Sequence, residues 1–212
     1  SLIDTQDEGE IIAELHDEIQ QELIWEISSE ELITIIGDLE LDEIVDILQA
    51  LPEQKTENIL SAMSQRDRQR IEEVLEYPED TAGGLMNTDI ISVRPKHSLE
   101  VVMRYLRAQR ELPKNTDQIF VVSRENKYLG SLPISSILIS DPSLNVRELM
   151  ETEIQPLEAN LDDKDVSRLF EQNDWVSAPV IDDKSRLIGR ITIDDVVDVI
   201  MEDADQNFLG MA

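Results

Sequence analysis

Acidic side chains recur at helical spacing in two places. Asp42 and Asp46 stand four apart in LDEIVDILQA, and Asp195, Asp198 and Glu202 fall at steps of three and four in IDDVVDVIMED. Residues three or four apart share one helix face, so each set would present its carboxylates together. Carboxylate oxygens are hard ligands. An octahedral cation that keeps several of its waters needs only one or two of them. Like charges at this spacing cost an isolated helix a little, and neighbouring bases do not offset them. A solvated acidic face accounts for the spacing equally well, and both readings stay open. Thr192 and Asp195 form a third constellation: Thr-x-x-Asp directly after a strand-like run reads as a capping box at a helix start.

Composition narrows the chemistry. The chain has 212 residues, with 47 Asp+Glu against 18 Lys+Arg and a formal charge of −29. The first base is Lys55, preceded by 17 acids from Asp4 to Glu53. Such a surface repels nucleic acid and anionic headgroups and attracts cations, so no nucleic-acid partner is expected. Solubility or a halophilic habit would also explain the charge. Cysteine is absent, which removes disulfides, thiolate metal sites and Cys nucleophiles. His16 and His97 lack the spaced partners of a zinc site. No calcium-loop pattern, phosphate-cradling glycine loop or nucleophile–histidine arrangement is present. With this many carboxylates, acid pairs arise by chance and none can be assigned to acid–base work, so no enzyme is expected. No apolar run is long enough to cross a bilayer. The chain starts at Ser1 rather than Met and is expected to be a soluble piece of something larger.

The elements that must position these residues fall into two kinds. Residues 10–76 read as short helices. Ile12, Leu15, Ile19, Leu23 and Ile27 recur at three- and four-residue steps, Ser28-Ser29-Glu30-Glu31 caps LITII, and Gly37 stops it. Leu41, Ile44, Val45 and Leu48 mark the core face of the next helix, and PEQKTENILSAMS and QRDRQRIEEVLEY give two more. Over residues 1–76, 22 acids face 4 bases, a net charge of −18. YPEDTAGGLM, residues 77–86, is the seam, with a proline extending the chain and two glycines free to turn it. Beyond it, ISV, IFVV, YLGSLPI, APVI and LIGRITI read as strands, with helical patterns in SLEVVMRYLRAQ and DKDVSRLFEQN. This half repeats itself: Met86 aligns with Met150 and Gly130 with Gly189, each unit running strand, helix, strand, turn, strand, helix.

The repeat resembles the CBS domain through Ala178-Pro179-Val180-Ile181-Asp182, Leu187-Ile188-Gly189 and Ile191-Thr192-Ile193-Asp194-Asp195-Val196. Placed after TAGGLM and an acidic helical unit, the pair resembles the cytosolic region of the MgtE magnesium transporters and channels over nearly the whole chain. The resemblance implies a multidomain fold: an all-α superhelical N-terminal domain over 1–80, truncated at its start, then an α/β tandem CBS pair over 81–143 and 144–203. Residues 204–212 would begin a connecting helix toward a membrane-spanning domain, on the cytoplasmic face of the membrane. A homodimer through the CBS domains is implied as well.

The same resemblance implies Mg2+ as regulatory ligand, held between the helical domain and the CBS pair. Glu10, Asp42 and Asp46 fall where the helical domain contributes acids, Asp195 and Asp198 where the last CBS helix does, and Asp162 and Asp174 where acids face the membrane part or connecting helix. Lys164 departs from the pattern, standing where the family carries a metal-facing acid. The function implied is a magnesium sensor that favours the closed channel. CBS pairs also bind ATP or AMP, directing a Thr/Ser-x-x-Asp motif at ribose. Thr192 and Asp195 satisfy it, whereas Pro133 and Ser136 occupy those places in the first repeat. An adenine-nucleotide sensor is therefore the alternative, and a plain interaction scaffold remains a third.

Overall fold

The computed structural model describes residues 27–36, 39, 41–49, 51–109 and 111–209. Glu10, Gly37 and all but the end of the helix expected over 10–27 lie outside the described residues. The chain divides into two units, residues 1–79 and 80–212.

In the first unit α1 (Ser29–Ile36), α2 (Leu41–Gln49), α3 (Glu53–Ala62) and α4 (Gln65–Leu75) follow one another with short joins. Two of the starts have a side-chain cause. The Ser28 hydroxyl accepts from the Glu31 backbone N–H at 3.3 Å while the Glu31 carboxylate accepts from the Ser28 N–H at 3.3 Å, the reciprocal arrangement expected from SSEE. Ser64 caps α4 through the Asp67 N–H at 3.2 Å. α1 packs on α3 and α2 on α4, each helix on the next but one, as a superhelical stack requires. Leu32, Leu41, Val45, Leu48, Ile59 and Ile71 are buried between them. Of the face expected on α2, Ile44 is only half-buried and Ile47 takes a fully buried place instead.

The second unit holds two three-stranded sheets. In the first repeat β1 (Ser92–Val93), α5 (Leu99–Ala108), β2 (Gln118–Val122), β3 (Tyr128–Pro133) and α6 (Ile134–Ile139) form a sheet of order β1-β2-β3. After the short α7 (Val146–Leu149), the second repeat runs β4 (Leu157–Glu158), α8 (Asp163–Asn173), β5 (Ser177–Ile181), β6 (Leu187–Thr192) and α9 (Ile193–Leu209), of order β4-β5-β6. In both sheets the first pair is parallel and the second antiparallel. Every residue of β2 is buried because the strand is covered twice. Ile119 and Val121 join the first repeat's core with Leu99 and Val102, while Phe120 and Val122 meet Leu187 of the second repeat.

The repeats exchange their leading arms. Asn87, ahead of β1, bonds Arg190 of β6 through both backbone groups (2.8 and 2.9 Å), and Glu151, ahead of β4, bonds Ser131 of β3 in the same way (2.7 and 2.9 Å). This explains the aligned glycines. A Cβ on Gly130 would lie 2.3 Å from the Glu151 carbonyl oxygen, and one on Gly189 would lie 2.7 Å from the Met86 sulfur. The seam turns over residues 82–84, where the Leu85 N–H donates to the Thr81 carbonyl at 3.0 Å, but its glycines do so without positive φ, which among the described residues Gly130 alone of the glycines has. Residues 81–83 also run beside 159–162, with the Ala82 and Gly83 N–H groups donating to the Leu161 and Ala159 carbonyls at 2.7 and 2.8 Å.

Candidate cation and nucleotide sites

α9 starts where β6 ends, and its first turn gathers acid. The Asp195 carboxylate accepts from the Thr192 backbone N–H at 2.8 Å and lies 3.0 Å from the Thr192 hydroxyl, which also contacts Asp194. Thr-x-x-Asp thus supplies the carboxylate half of the capping box that the sequence expected of it. Asp194 in turn accepts from the Asn115 amide of the first repeat at 2.9 Å. Asp195 is half-buried and Asp198, one turn on, is exposed. A helix N-terminus carries partial positive charge, which lets these acids stand close together.

Asp162 and Asp174 flank α8. Asp162 is the N-cap and accepts from the Lys164 N–H at 3.1 Å; Asp174 closes the helix with φ 51°, the left-handed conformation that Asn and Asp tolerate best. With roughly 16 Å of helix between them, these two do not share one ion. Next to Asp162, burial pushes the Asp163 carboxyl up, the Lys164 N–H opposes that, and the negative charge of Asp162 and Asp80 adds to it. Asp42 and Asp46 lie one turn apart on α2. Among the described residues no three His, Asp or Glu side chains converge into a ready-made metal cage. The donor set is all carboxylate, which suits a hard, largely hydrated cation such as Mg2+ better than a softer metal.

Three features were not anticipated from the sequence. Asp194 joins the Thr192–Asp195 group. A cleft of about 470 Å³ opens in the second repeat, with Pro156, Leu157, Leu169 and Trp175 among its apolar walls and Glu153 and Glu158 as its charged residues. No Lys or Arg lines it, so it offers a planar surface but no counter-charge for phosphate. Finally, a polar seam joins the repeats. Ser177 donates to Asp117 at 2.5 Å, the Gln118 amide donates to the Ser177 carbonyl at 2.9 Å, and the buried Arg190 guanidinium donates to the Lys114 and Asn115 carbonyls at 2.5 and 3.3 Å. The one sequence signal was the arginine in LIGRITI, a charge inside a buried strand.

Two β-α-β-β-α units, interlocked through their arms and preceded by an acidic helical stack, define a tandem CBS-domain protein. Residues 82–141 and 146–202 match the CBS domain, and residues 1–80 match the MgtE intracellular N domain. The magnesium transporter MgtE of Thermus thermophilus is 32% identical over 142 residues, 67% of this chain and 32% of that protein. MgtE of Enterococcus faecalis is 26% identical over the same length, 67% of this chain and 31% of that protein. The crystal structure of the cytosolic domain of the Mg2+ channel MgtE in complex with ATP superposes with a TM-score of 0.86 at 30% identity, covering 93% of this chain and 81% of that one. The CBS pair of a putative Mg2+ transporter from Shewanella oneidensis superposes at 0.64 with 27% identity, covering 80% and 98%. The chain belongs to the MgtE family. It spans about a third of the length of the curated relatives it matches.

Proposed function

We propose that the chain is the cytosolic magnesium-sensing region of an MgtE-type channel, on the cytoplasmic face of the membrane and continuous with a membrane-spanning domain. Acids on the helical unit (Glu10, Asp42, Asp46) and on α9 (Asp195, Asp198) hold Mg2+ jointly and favour the closed state, while Asp162 and Asp174 serve the side toward the membrane part. The observation that carries this reading is the distribution of charge. A net −18 sits on residues 1–76 and further acids crowd the first turns of α9, yet neither group by itself makes a cage among the described residues. Two carboxylates 10 Å apart in water repel by roughly 0.4 kcal/mol, less after salt screening. Many such pairs sum to a few kcal/mol, against about 5.5 kcal/mol for swinging a two-state equilibrium from 1:99 to 99:1. Charge neutralisation works on the equilibrium only through tighter binding to one state. Lys164 weakens the site nearest α8.

Small-angle scattering tests this. The chain is expected to contract as Mg2+ rises to millimolar levels after EDTA, at fixed ionic strength, and to ignore sodium. Asp195→Asn with Asp198→Asn is expected to remove most of that contraction; an unaltered titration would take both residues out of the site. A homodimer through the CBS domains belongs to the same proposal, supported by exposed Leu138, Ile139, Val197, Ile200 and Met201. Being apolar, it is expected to survive EDTA in sedimentation equilibrium, and monomers on chelation would refute it.

A second reading, adenine-nucleotide binding, draws on the ATP complex of the similar cytosolic domain and on Thr192–Asp195. Here Asp195 already serves Thr192, and a ribose would have to compete with that bond. Calorimetry with ATP and AMP decides it: submillimolar binding lost in Asp195→Ala supports the reading, and no heat removes it.

A further inference from the structure

We infer that Arg190 is an internal tether, closing one of two pseudo-equivalent ends of the CBS pair by pinning the segment before β2 to the start of α9. The equivalence is visible in the backbone. Non-glycine residues with positive φ come in pairs 59 residues apart, Asn115 with Asp174 (both φ 51°) and Asn126 with Ser185 (63° and 61°), matching the offset of Gly130 and Gly189. On that offset Arg190 corresponds to Ser131, and its acceptors on Lys114 and Asn115 correspond to the carbonyls of Asn173 and Asp174.

The two ends differ in two independent ways. First, Arg190 spans the gap to its acceptors while the shorter, buried Ser131 hydroxyl makes no hydrogen bond to the corresponding carbonyls. Second, the join between helix and second strand is long in the first repeat (109–117) and short in the second (174–176). Side chain and longer join meet at the same end. At the other end the cleft opens beside Asn173 and Trp175. Arg190 is 4% exposed, its Nε is buried without a partner, and among the described residues no carboxylate pairs with it. Burying a guanidinium against two carbonyls is a poor way to add stability. It does fix one arrangement: Arg190 holds carbonyls 114 and 115, and the Asn115 side chain holds Asp194 in the first turn of α9. A shift of the 114–117 segment therefore reaches α9 through bonds, not through general packing. This inference does not depend on the ligand proposals above.

Segment-resolved hydrogen exchange on the full chain tests it, without Mg2+ or nucleotide. In Arg190→Ser, which copies the first repeat, amides of 112–117 and of the first turn of α9 are expected to exchange about tenfold faster, with 174–176 and the strand cores within about twofold of the parent. Arg190→Lys should fall between. Unchanged exchange at 112–117, or equal acceleration in both repeats, overturns the tether. Should Arg190→Ser fail to fold by circular dichroism, Asn115→Ala decides. It retains Arg190 but cuts the bond to Asp194, and no local acceleration in the first turn of α9 would overturn the inference.

Discussion

The two repeats share a scaffold and differ in what they do with it. Positions that the backbone constrains match: left-handed residues at 115 and 174 and at 126 and 185, glycines at 130 and 189, and a register shift between Val121/Val122 and between Val180/Ile181. Positions proposed for a ligand or a tether do not. Thr192 and Asp195 stand against Pro133 and Ser136, and Arg190 against Ser131. Geometry that one fold must satisfy twice leaves little choice of residue, whereas a ligand or a tether is needed only once. The asymmetry therefore points to function more directly than either repeat does alone.

The largest test of the shared scaffold is at its glycines. Gly130→Ala meets backbone, the Glu151 carbonyl, in a conformation with φ +155° that L-residues rarely adopt. We expect a loss of about 3 kcal/mol or more in urea unfolding. Gly189→Ala meets the Met86 side chain at its sulfur and Cγ (2.7 and 2.9 Å) and only grazes backbone, the Asn87 carbonyl at 3.0 Å, without a positive φ, and about 1–2 kcal/mol is expected. Equal losses would mean that the two arm exchanges are equally rigid.

A smaller effect separates the two hairpin turns by charge. In the first repeat the Ser123 hydroxyl accepts from the Glu125 and Lys127 N–H groups, both at 3.2 Å; in the second the Asp182 carboxylate takes the same two places, from Lys184 and Arg186 at 3.0 and 2.8 Å. Burial by itself would raise the Asp182 carboxyl, but the N–H groups and the Arg186 guanidinium outweigh it and hold the pKa below 3.8. A lowered folded pKa means that the stabilisation is complete above 3.8 and is lost as pH falls through the lower folded value. Asp182→Ser, which copies the first repeat, is expected to cost about 1–2 kcal/mol at pH 7 and little once the parent carboxyl is protonated. Thermal unfolding across pH 2 to 7 reads the difference.

The smallest contrast lies at the helix starts. Asp162 caps α8 through its side chain, while Ser98 at the same place on α5 makes no such bond. In EDTA, Asp162→Ala is expected to cost about 1 kcal/mol and Ser98→Ala a few tenths by chemical denaturation.

Local rules made most of the fold legible. The helix of DKDVSRLFEQN, the strands of APVI and LIGRITI, the cap at Ser28 and the duplicated order of elements all rest on short-range periodicity and capping. β1 and β4 contribute two residues each; ISV signalled β1, whereas β4 was found only through its place in the repeat. The arm exchange could not be read, because it joins Asn87 to Arg190 and Ser131 to Glu151 through single bridges that leave no periodic signal in the sequence. For the proposed site, spacing singled out Asp42, Asp46, Asp195 and Asp198 as candidates but not what gathers around α9. Asp194 meets Asn115, and Arg190 meets 114 and 115, through contacts that sequence distance hides.

The exchanged arms carry a topological consequence. Cutting the chain between α7 and β4 would leave each half with its leading segment or its last strand unmated, an edge open to any strand nearby. Two halves supplied separately should therefore recombine by strand complementation. Two whole chains could make the same swap with each other, and what holds it within one molecule is the high effective concentration that a short connection provides.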